Sequence, residues 1–283
     1  LRWNQLDKDT QKILNTSDNL GELRLEYLQG VRTYEGKNVG NSSSVFRERK
    51  GILGDIIHAG ATVIGPPKMH KEYKSRWRDQ LHPELAVAEN QNGAQTYQQF
   101  AQEHNDRLNV AYIGANDGFV HGFRAGAYDV LGNRFIADDA KKPNDGREVL
   151  AFMPNAVLQR LHGQKQEGLN LSNTRYAHNY YHDATIGSGE VFYKNQWHTW
   201  LVSGLGNGGS TIYALDVTRP DFTQGNASAH VVGEWSYDSR DSVWKYLGNT
   251  YGKPEVVRLH NGKWGFVFGN GWCEDKDAAN GNC

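Results

Sequence analysis

A hairpin pattern recurs three times along this sequence and constrains the fold more than any other feature. The three copies are AYIGANDGFVHGF at 111–123, WLVSGLGNGGSTIYALDV at 200–217 and WGFVFGNGW at 264–272. Each contains an aromatic or aliphatic strand, Gly, an Asn-containing turn and Gly, and the first two continue into another strand. Because a lone hairpin buries too little surface to be stable, the copies must belong to a larger sheet system. The recurrence predicts a toroidal array of sheets, a mainly β protein of the β-propeller type.

The spacing of the three copies indicates irregular blades. They begin roughly 90 and 64 residues apart, which exceeds the usual blade length of about 40–50 residues. Some blades therefore carry insertions, and the helix predicted after Pro154 is one of them. The array stops in the middle of a blade after FGNGW, so the propeller is expected to be incomplete in this chain. A β-sandwich is the alternative architecture.

Composition agrees with a β-rich protein and excludes several partners. The 283 residues include 32 Gly, 8 Trp, 14 Tyr and 10 Phe, a mixture that suits strands and turns better than a helical bundle. The net charge of −1 gives no electrostatic basis for binding nucleic acid or an anionic membrane. No segment approaches the roughly 20 apolar residues of a membrane helix. The chain starts at Leu1 without Met or a signal peptide, as expected of a processed or truncated chain.

The N-terminal part differs from the rest in the spacing of its apolar residues. Apolar residues at near-helical spacing within 1–35 predict two short helices that end near Gly30. Residues 36–50 are polar and predict a linker loop. We therefore divide the chain into a helical segment with its linker, 1–50, and a propeller domain, 51–283.

Local patterns within the propeller domain predict further elements. Strand-like runs punctuated by Gly occupy 52–67, and a helix is predicted over 94–104. In the strand at 211–216, Ile212 and Ala214 should face opposite Tyr213 and Leu215. Turns between strands are expected at Ser188-Gly189, Asn195-Gln196 and Asn261-Gly262.

Both cysteines, Cys273 and Cys283, lie in the last 11 residues, CEDKDAANGNC. Two thiols that close a short polar loop predict a local disulfide of a secreted or periplasmic protein. Two free thiols at the end of the chain are the alternative. The spacing lacks the CxxC or paired-His pattern of a zinc site.

Six separated motifs, in order, resemble the C-terminal domain of the PilY1/PilC family. They are FRERKGILGDIIHAGATVIGPP, VAYIGANDGFVHGFRAG, EVLAFMPNAV, YYHDAT, LVSGLGNGGSTIYALDVTRP and GFVFGNGW, between about residues 46 and 272. Within them, YIGANDGFVHGF and IYALDV resemble the quinoprotein-type propeller repeat. The PilY1/PilC proteins are large, tip-associated proteins of bacterial type IV pili.

This resemblance implies a non-enzymatic role outside the cytoplasm. Such proteins promote pilus assembly with major or minor pilins, counteract retraction, and support twitching motility and virulence. They act as adhesins at the pilus tip and outer-membrane surface, where a host-cell receptor is a further partner. The resemblance further implies a large variable N-terminal adhesin region, which is not expected within residues 1–283.

The resemblance also implies calcium, bound by an Asp/Asn-rich loop of EF-hand-like spacing. This sequence contains no D-x-[DN]-x-[DN]-G match. Glu274, Asp275 and Asp277 come closest, but their spacing is wrong and they lie between the cysteines. The metal ligands are therefore unknown, and the calcium loop is expected downstream of Cys283.

The segment HNYYHDAT offers a candidate metal site. His178 and His182, followed by Asp183, could bind a metal if they lay on a helix. Two adjacent tyrosines and Thr185 favour a strand instead, in which the two histidines would stand about 13 Å apart. The strand interpretation is preferred.

Other polar residues are expected to be structural. Asp55, Asp117, Asp183 and Asp216 should accept backbone N–H bonds near blade turns, and Asn116, Asn207 and Asn270 should fix turn geometry. GLGNGG at 204–209 matches the G-x-G-x-x-G spacing, but a strand follows it instead of the helix that a dinucleotide site requires. No G-x-S-x-G elbow occurs. No catalytic residue or cofactor-binding residue is predicted.

Two further interpretations concern aromatic residues. Trp197, Trp200, Tyr180 and Tyr181 should pack between blades, with interface anchors as the alternative. A quinone-dependent dehydrogenase is the alternative function. The sequence matches its tryptophan docking motif at Ala214, Asp216 and Trp235. It lacks the Thr-Gly pair of that motif, and it has no pair of adjacent cysteines.

Overall fold

The computed structural model describes residues 2–16, 18–36, 45–67, 79, 81–129, 131–136, 140–161 and 171–272. The α-helices in these ranges are α1 (Lys8–Asn15), α2 (Gly21–Leu28), α3 (Tyr97–Glu103) and α4 (Asn155–Arg160). The strands are β1 (Thr62–Ile64), β2 (Val110–Gly114), β3 (Val120–Arg124), β4 (Ala127–Asp129), β5 (Arg134–Ile136), β6 (Glu148–Phe152), β7 (Gly187–Tyr193), β8 (Gln196–Gly204), β9 (Thr211–Asp216), β10 (Val231–Ser236), β11 (Glu255–Arg258) and β12 (Trp264–Val267).

Helices α1 and α3 begin where the sequence supplies a side-chain cap. Asp7 accepts the backbone N–H of Thr10 at 2.8 Å and so starts α1. Thr96 and Gln99 form a reciprocal capping box at the start of α3. The two predicted N-terminal helices and the helix predicted over 94–104 are therefore confirmed.

Two antiparallel four-stranded sheets form the body of the protein. Sheet A has the order β1-β2-β3-β6, and sheet B has the order β10-β9-β8-β7. Both follow the chain from one edge to the other, apart from the β4–β5 hairpin inserted between β3 and β6. This consecutive up-and-down order is that of propeller blades.

Sheet C contains β11 and β12, and the loop between them ends at Gly262, whose φ is +80°. The Asn261-Gly262 hairpin is therefore confirmed. The described sheets do not close into a ring. The matching arrangement of sheets A and B, with part of a third blade in sheet C, confirms the prediction of an incomplete β-propeller.

Adjacent sheets pack closely because β7, an edge strand of sheet B, contains two glycines. Strand β7 contacts both β1 and β11. A Cβ atom at Gly187 would collide with the backbone of Pro254, and one at Gly189 would lie 2.6 Å from Cβ of Val256. Gly189 therefore lies within a strand for close approach, and the turn predicted at Ser188-Gly189 is wrong.

The two faces of β9 pack into two different hydrophobic clusters, as predicted from the alternation of its side chains. Tyr213 and Leu215 belong to the cluster shared with sheet A, which includes Tyr112 of β2. Ile212 and Ala214 belong to the cluster shared with sheet C. Sheet B is thus buried on both faces, as expected of an internal blade.

Two other local predictions need correction. The β7–β8 turn is formed by Lys194 and Asn195, with φ of 48° and 67°, and Gln196 is already in β8. Two consecutive positive φ values match the twist of a tight hairpin. Within 52–67, only Thr62–Ile64 is a strand, because the preceding residues make long-range contacts described below.

Helix α4 follows sheet A as an insertion, and sheet B anchors it. The carboxylate of Glu234 on β10 accepts the backbone N–H groups of Asn155 and Ala156, at 2.9 and 2.7 Å. These groups have no partner within the helix, so the contact completes its first turn. None of the helices in the described residues is long and apolar enough to span a membrane.

Candidate functional site

Residues 51–60, here called the strap, cross the ends of sheets A and B where the Asn-containing turns lie. At sheet A, the N–H of Gly54 donates to Asp117 Oδ2 at 2.7 Å. The N–H of Asn116 donates to the Asp55 carbonyl at 3.0 Å, and Asn116 Nδ2 donates to Asp55 Oδ2 at 3.0 Å. The first half of the strap is thus fixed to the β2–β3 turn through its own backbone.

The second half of the strap is fixed to the segment that leads into sheet B. Asp183 accepts the backbone N–H of His58 at 3.1 Å and lies 2.7 Å from His58 Nδ1. The N–H of Gly60 donates to Thr185 Oγ1 at 3.0 Å. The strap therefore bridges two blades and replaces sheet pairing with contacts to polar side chains.

This anchoring leaves the aliphatic side chains of the strap in solvent. Ile52, Leu53, Ile56 and Ile57 are exposed by 51%, 46%, 39% and 48%. Single exposed aliphatic residues are ordinary, but these four lie within six consecutive positions, and clustered exposed apolar residues typically mark an interaction site. A backbone held by hydrogen bonds also loses little entropy when a partner binds.

An aromatic group borders these aliphatic residues. The ring of Tyr180 stacks on His58 with centroids 6.0 Å apart and meets His178 edge-on at 5.1 Å. His178 Nε2 lies 2.9 Å from Oδ2 of Asp55 on the strap. Burial raises the Asp55 pKa, but hydrogen bonds from Asn116 and His178 outweigh burial and hold the pKa below its usual value. Together the four aliphatic residues, His58, His178 and Tyr180 form the strap surface.

The turn asparagines connect neighbouring loops. Asn116 Oδ1 accepts the backbone N–H of Tyr181 at 3.1 Å. Asn207 Nδ2 donates to Asp183 at 2.8 Å, while its Oδ1 accepts from Tyr251 Oη at 2.9 Å. The side chains of Asn116 and Asn207 therefore link blades to one another, and the prediction that they act mainly on their own turns needs that correction.

Asp117 also belongs to a partly buried charged group on sheet A, in which Glu148 is the exposed member. Its two oxygens lie 3.1 Å from His121 Nε2, and Glu148 Oε1 lies 2.5 Å from His121 Nδ1. Burial lowers the His121 pKa, but hydrogen bonds with Asp117 and Glu148 outweigh burial and raise the pKa to about 9. His121 is therefore a cation at neutral pH.

The predicted metal candidates do not converge. His178 binds Asp55 on the strap, whereas His182 is buried with its Nε2 2.5 Å from Tyr213 Oη. Burial lowers the His182 pKa to about 4, so its imidazole is neutral at pH 7. In the ranges that the structure describes, no group of three His, Cys, Asp or Glu residues is arranged to hold a metal ion. The segment before Gly187 has no regular secondary structure, so the strand predicted for HNYYHDAT is absent.

Two other sequence features have structural partners. The turn at 204–209 leads into β9, and a Cβ atom at Gly208 would collide with the backbone of Tyr181. Its glycines thus permit close packing of a loop. Asp216 lies 2.7 Å from His198 Nδ1 and accepts the backbone N–H of Thr218 at 2.9 Å.

The aromatic residues divide between packing and surface. Trp197 is buried and meets Trp264 of sheet C with ring centroids 5.2 Å apart. Trp200 packs at the edge of the cluster between sheets B and C. Tyr181 is buried, and Tyr180 alone of the four contributes to the strap surface. Trp235 of the proposed docking motif stacks on Trp244, with centroids 6.1 Å apart.

The C-terminal candidates lie outside the described residues. These are Cys273 and Cys283, with the acidic residues Glu274, Asp275 and Asp277 between them. The disulfide and the calcium ligands therefore stay predictions.

Comparison with known proteins finds relatives that match most of this chain. The profile of the family described as the PilY1 beta-propeller domain matches residues 79–282. The type IV pilus biogenesis factor PilY1 of Pseudomonas aeruginosa strain UCBPP-PA14 is 33% identical over 273 residues, covering 96% of this chain and 18% of that protein. A PilY1 homolog of Xylella fastidiosa strain Temecula1 is 31% identical over 265 residues, covering 90% of this chain and 17% of that protein. The chain thus spans about a fifth of the length of these relatives.

A solved structure is also similar to this chain. The crystal structure of the Pseudomonas aeruginosa PilY1 C-terminal domain aligns with a TM-score of 0.42 and 31% sequence identity. The alignment covers 62% of this chain and 27% of that one.

Proposed function

Since this chain belongs to the family of the PilY1 beta-propeller domain, we propose that it acts in type IV pilus biogenesis as part of a protein at the pilus tip. In this role it contacts pilins, stabilises the fibre against retraction and so supports twitching motility and adhesion to host cells. The relatives that match over most of this chain are named as type IV pilus biogenesis factors. The role needs a binding surface and no catalytic group, so we propose a non-enzymatic function.

The strap surface is the observation that carries this proposal. It presents Ile52, Leu53, Ile56 and Ile57 to solvent on a backbone anchored to two blades. A few anchor side chains, among which Tyr and Trp are enriched, supply most of the binding energy in protein interfaces, and burying exposed aliphatic side chains adds to it. We therefore propose that the strap surface contacts a pilin subunit, with Tyr180 as its aromatic anchor.

The proposal includes three features that follow from the family. The protein works outside the cytoplasm, at the pilus tip and outer-membrane surface. Cys273 and Cys283 form a disulfide there, as the oxidising environment allows. Calcium binds in the propeller domain, at residues that are not among those described here.

The test uses the full-length gene that encodes this chain, in strains with and without the pilus retraction motor. Deleting the gene should reduce the number of surface pili seen by electron microscopy while pilin synthesis is unchanged. Removing the retraction motor should partly restore the fibres. A complementing gene with Ile56→Ser and Ile57→Ser should behave like the deletion.

A matched control shows whether the effect is specific to the strap surface or follows from the loss of any exposed apolar side chain. Val243 is exposed by 63% and lies outside the strap, so Val243→Ser should complement fully. Unchanged piliation in the deletion strain would contradict the biogenesis role. Full complementation by the strap variant would contradict only its assignment as the pilin contact.

A further inference from the structure

A cavity of about 300 Å³ opens beside sheet B, away from the strap surface. The end of α3, the start of β8 and the segment that connects β9 to β10 form its walls. This volume lies at the lower end of the range for small-molecule sites. The walls are mainly polar, with His198, His230, Asp216, Asp221, Arg219 and Glu103 among the lining residues.

Two of the lining imidazoles are held by one residue. His198 Nδ1 lies 2.7 Å from Oδ2 of Asp216, and His230 Nδ1 lies 2.9 Å from the carbonyl oxygen of Asp216. A carbonyl oxygen can only accept, so His230 Nδ1 carries the proton. Burial raises the Asp216 pKa, but hydrogen bonds from His198 and Thr218 outweigh burial and hold the pKa below its usual value. The Asp216 carboxylate is therefore ionised and likewise requires a donor at His198 Nδ1.

In a ring that carries only its Nδ1 proton, Nε2 is an acceptor. Nε2 of His198 and Nε2 of His230 are buried, and neither has a hydrogen-bond partner among the described residues. A buried acceptor without a partner costs about 1–3 kcal/mol. Both imidazoles line the cavity, but these two atoms are not accessible from it, so the accessible polar groups of the walls decide which ligand fits.

Three other charged side chains in the walls can also contact a ligand. Arg219 and Asp221 are exposed, and no ion pair to either is found in the part of the chain that the structure describes. Glu103 uses one carboxylate oxygen for Gln95 Nε2, at 2.9 Å. The cavity thus combines several acceptors with a strong donor, the Arg219 guanidinium.

We propose that this cavity binds a neutral saccharide unit. Sugar hydroxyl groups both donate and accept, so they can satisfy the carboxylate acceptors of the walls together with the Arg219 donor. An anion would face the carboxylates of Glu103, Asp216 and Asp221, and an apolar ligand would leave buried polar groups without partners. The site lies apart from the strap surface, so its ligand binding is independent of the pilin contact.

Saturation-transfer NMR tests the proposal on this chain, with D-galactose, D-mannose and N-acetyl-D-glucosamine as probes. At least one of these sugars should give a saturable signal. Arg219→Ala and Asp221→Ala together should weaken its binding at least tenfold, because two direct contacts are lost. Asp238→Ala with Arg240→Ala is the matched control, since this exposed pair lies outside the cavity and its loss should leave binding unchanged.

Three results would overturn the proposal. In the first, none of the three sugars binds at concentrations up to about 10 mM, an affinity too weak for a specific site. In the second, the Arg219→Ala, Asp221→Ala protein binds as well as the unaltered protein. In the third, n-butylamine binds in the cavity while the neutral sugars do not, which would assign it to a cation.

Discussion

The buried carboxylate of Asp183 holds the exposed imidazole of His58, with Oδ2 and Nδ1 2.7 Å apart. The Asp183 side chain is fully buried, whereas the His58 side chain is 61% exposed. The same carboxylate accepts the backbone N–H of His58 and Nδ2 of Asn207. One side chain therefore joins the strap, the segment before β7 and the turn after β8.

Replacing Asp183 should loosen the strap and destabilise the fold. In Asp183→Ala the donors of His58 and Asn207 lose a charged acceptor, and hydrogen bonds to charged groups contribute about 1.5–3 kcal/mol each in favourable cases. We expect the free energy of unfolding to fall by about 2–4 kcal/mol. Urea unfolding measures this loss, and hydrogen exchange should show faster exchange at the amides of Gly54 and His58.

The control for this prediction is Asp238→Ala. Asp238 is on the surface and pairs with the exposed Arg240, so its loss should change stability by less than about 0.5 kcal/mol. Equal destabilisation by the two substitutions would contradict the special role of Asp183.

Close packing between sheets B and C should make Gly187 intolerant of any side chain. In Gly187→Ala the new Cβ would collide with the backbone of Pro254, which cannot move as a flexible side chain could. Overpacking of this kind costs about 1–3 kcal/mol. Thermal unfolding should therefore show a clearly lower Tm.

Gly265 provides the matched comparison for that substitution. It also lies in a strand, β12, but no atom of the described structure would lie within 4 Å of an added Cβ. Gly265→Ala should be neutral or slightly stabilising, since alanine has less backbone entropy to lose. A Gly187→Ala protein as stable as Gly265→Ala would contradict the inter-blade packing.

His121 should stabilise the fold below neutral pH and lose that effect in alkali. Its pKa is about 9 in the folded protein against 6.5 for an ordinary histidine, so the folded state binds the proton more tightly. The contribution, on the order of 3 kcal/mol, is fully present below pH 6.5 and is lost as pH rises through 9. Urea unfolding between pH 6 and 10 should show this decline, and His121→Gln should remove it. An unchanged alkaline decline in His121→Gln would exclude His121 as its source.

Sequence reasoning succeeded where the structure depends on local pattern. The hairpin turn around Asn116 and the alternation of Ile212 with Tyr213 follow from turn chemistry and strand periodicity, which act over a few residues. The recurrence of the hairpin pattern then predicted the propeller, because its three copies lie in sheets A, B and C. The incomplete propeller could therefore be predicted.

The strap could not be predicted in the same way. Its apolar residues suggested strands, yet Gly54 donates to Asp117, 63 positions away, and His58 donates to Asp183, 125 positions away. No local pattern encodes such partners. Gly54 and Gly60, with no regular alternation between them, are the signal that could have indicated a surface segment. The Gly189 error has a similar origin, since its close neighbour Val256 lies in another blade.

His182 should make the protein sensitive to acid. Its buried imidazole has a pKa of about 4, so between pH 4 and 6.5 the unfolded chain binds a proton that the folded protein does not. The unfolded state binds more protons, so stability falls as pH is lowered through this range, by on the order of 3 kcal/mol. Urea unfolding from pH 7 to 5 should show the loss. His182→Gln should flatten the profile, whereas His82→Gln should keep it because His82 is half exposed. If His182→Gln retained the full slope, other groups would be responsible for the acid sensitivity.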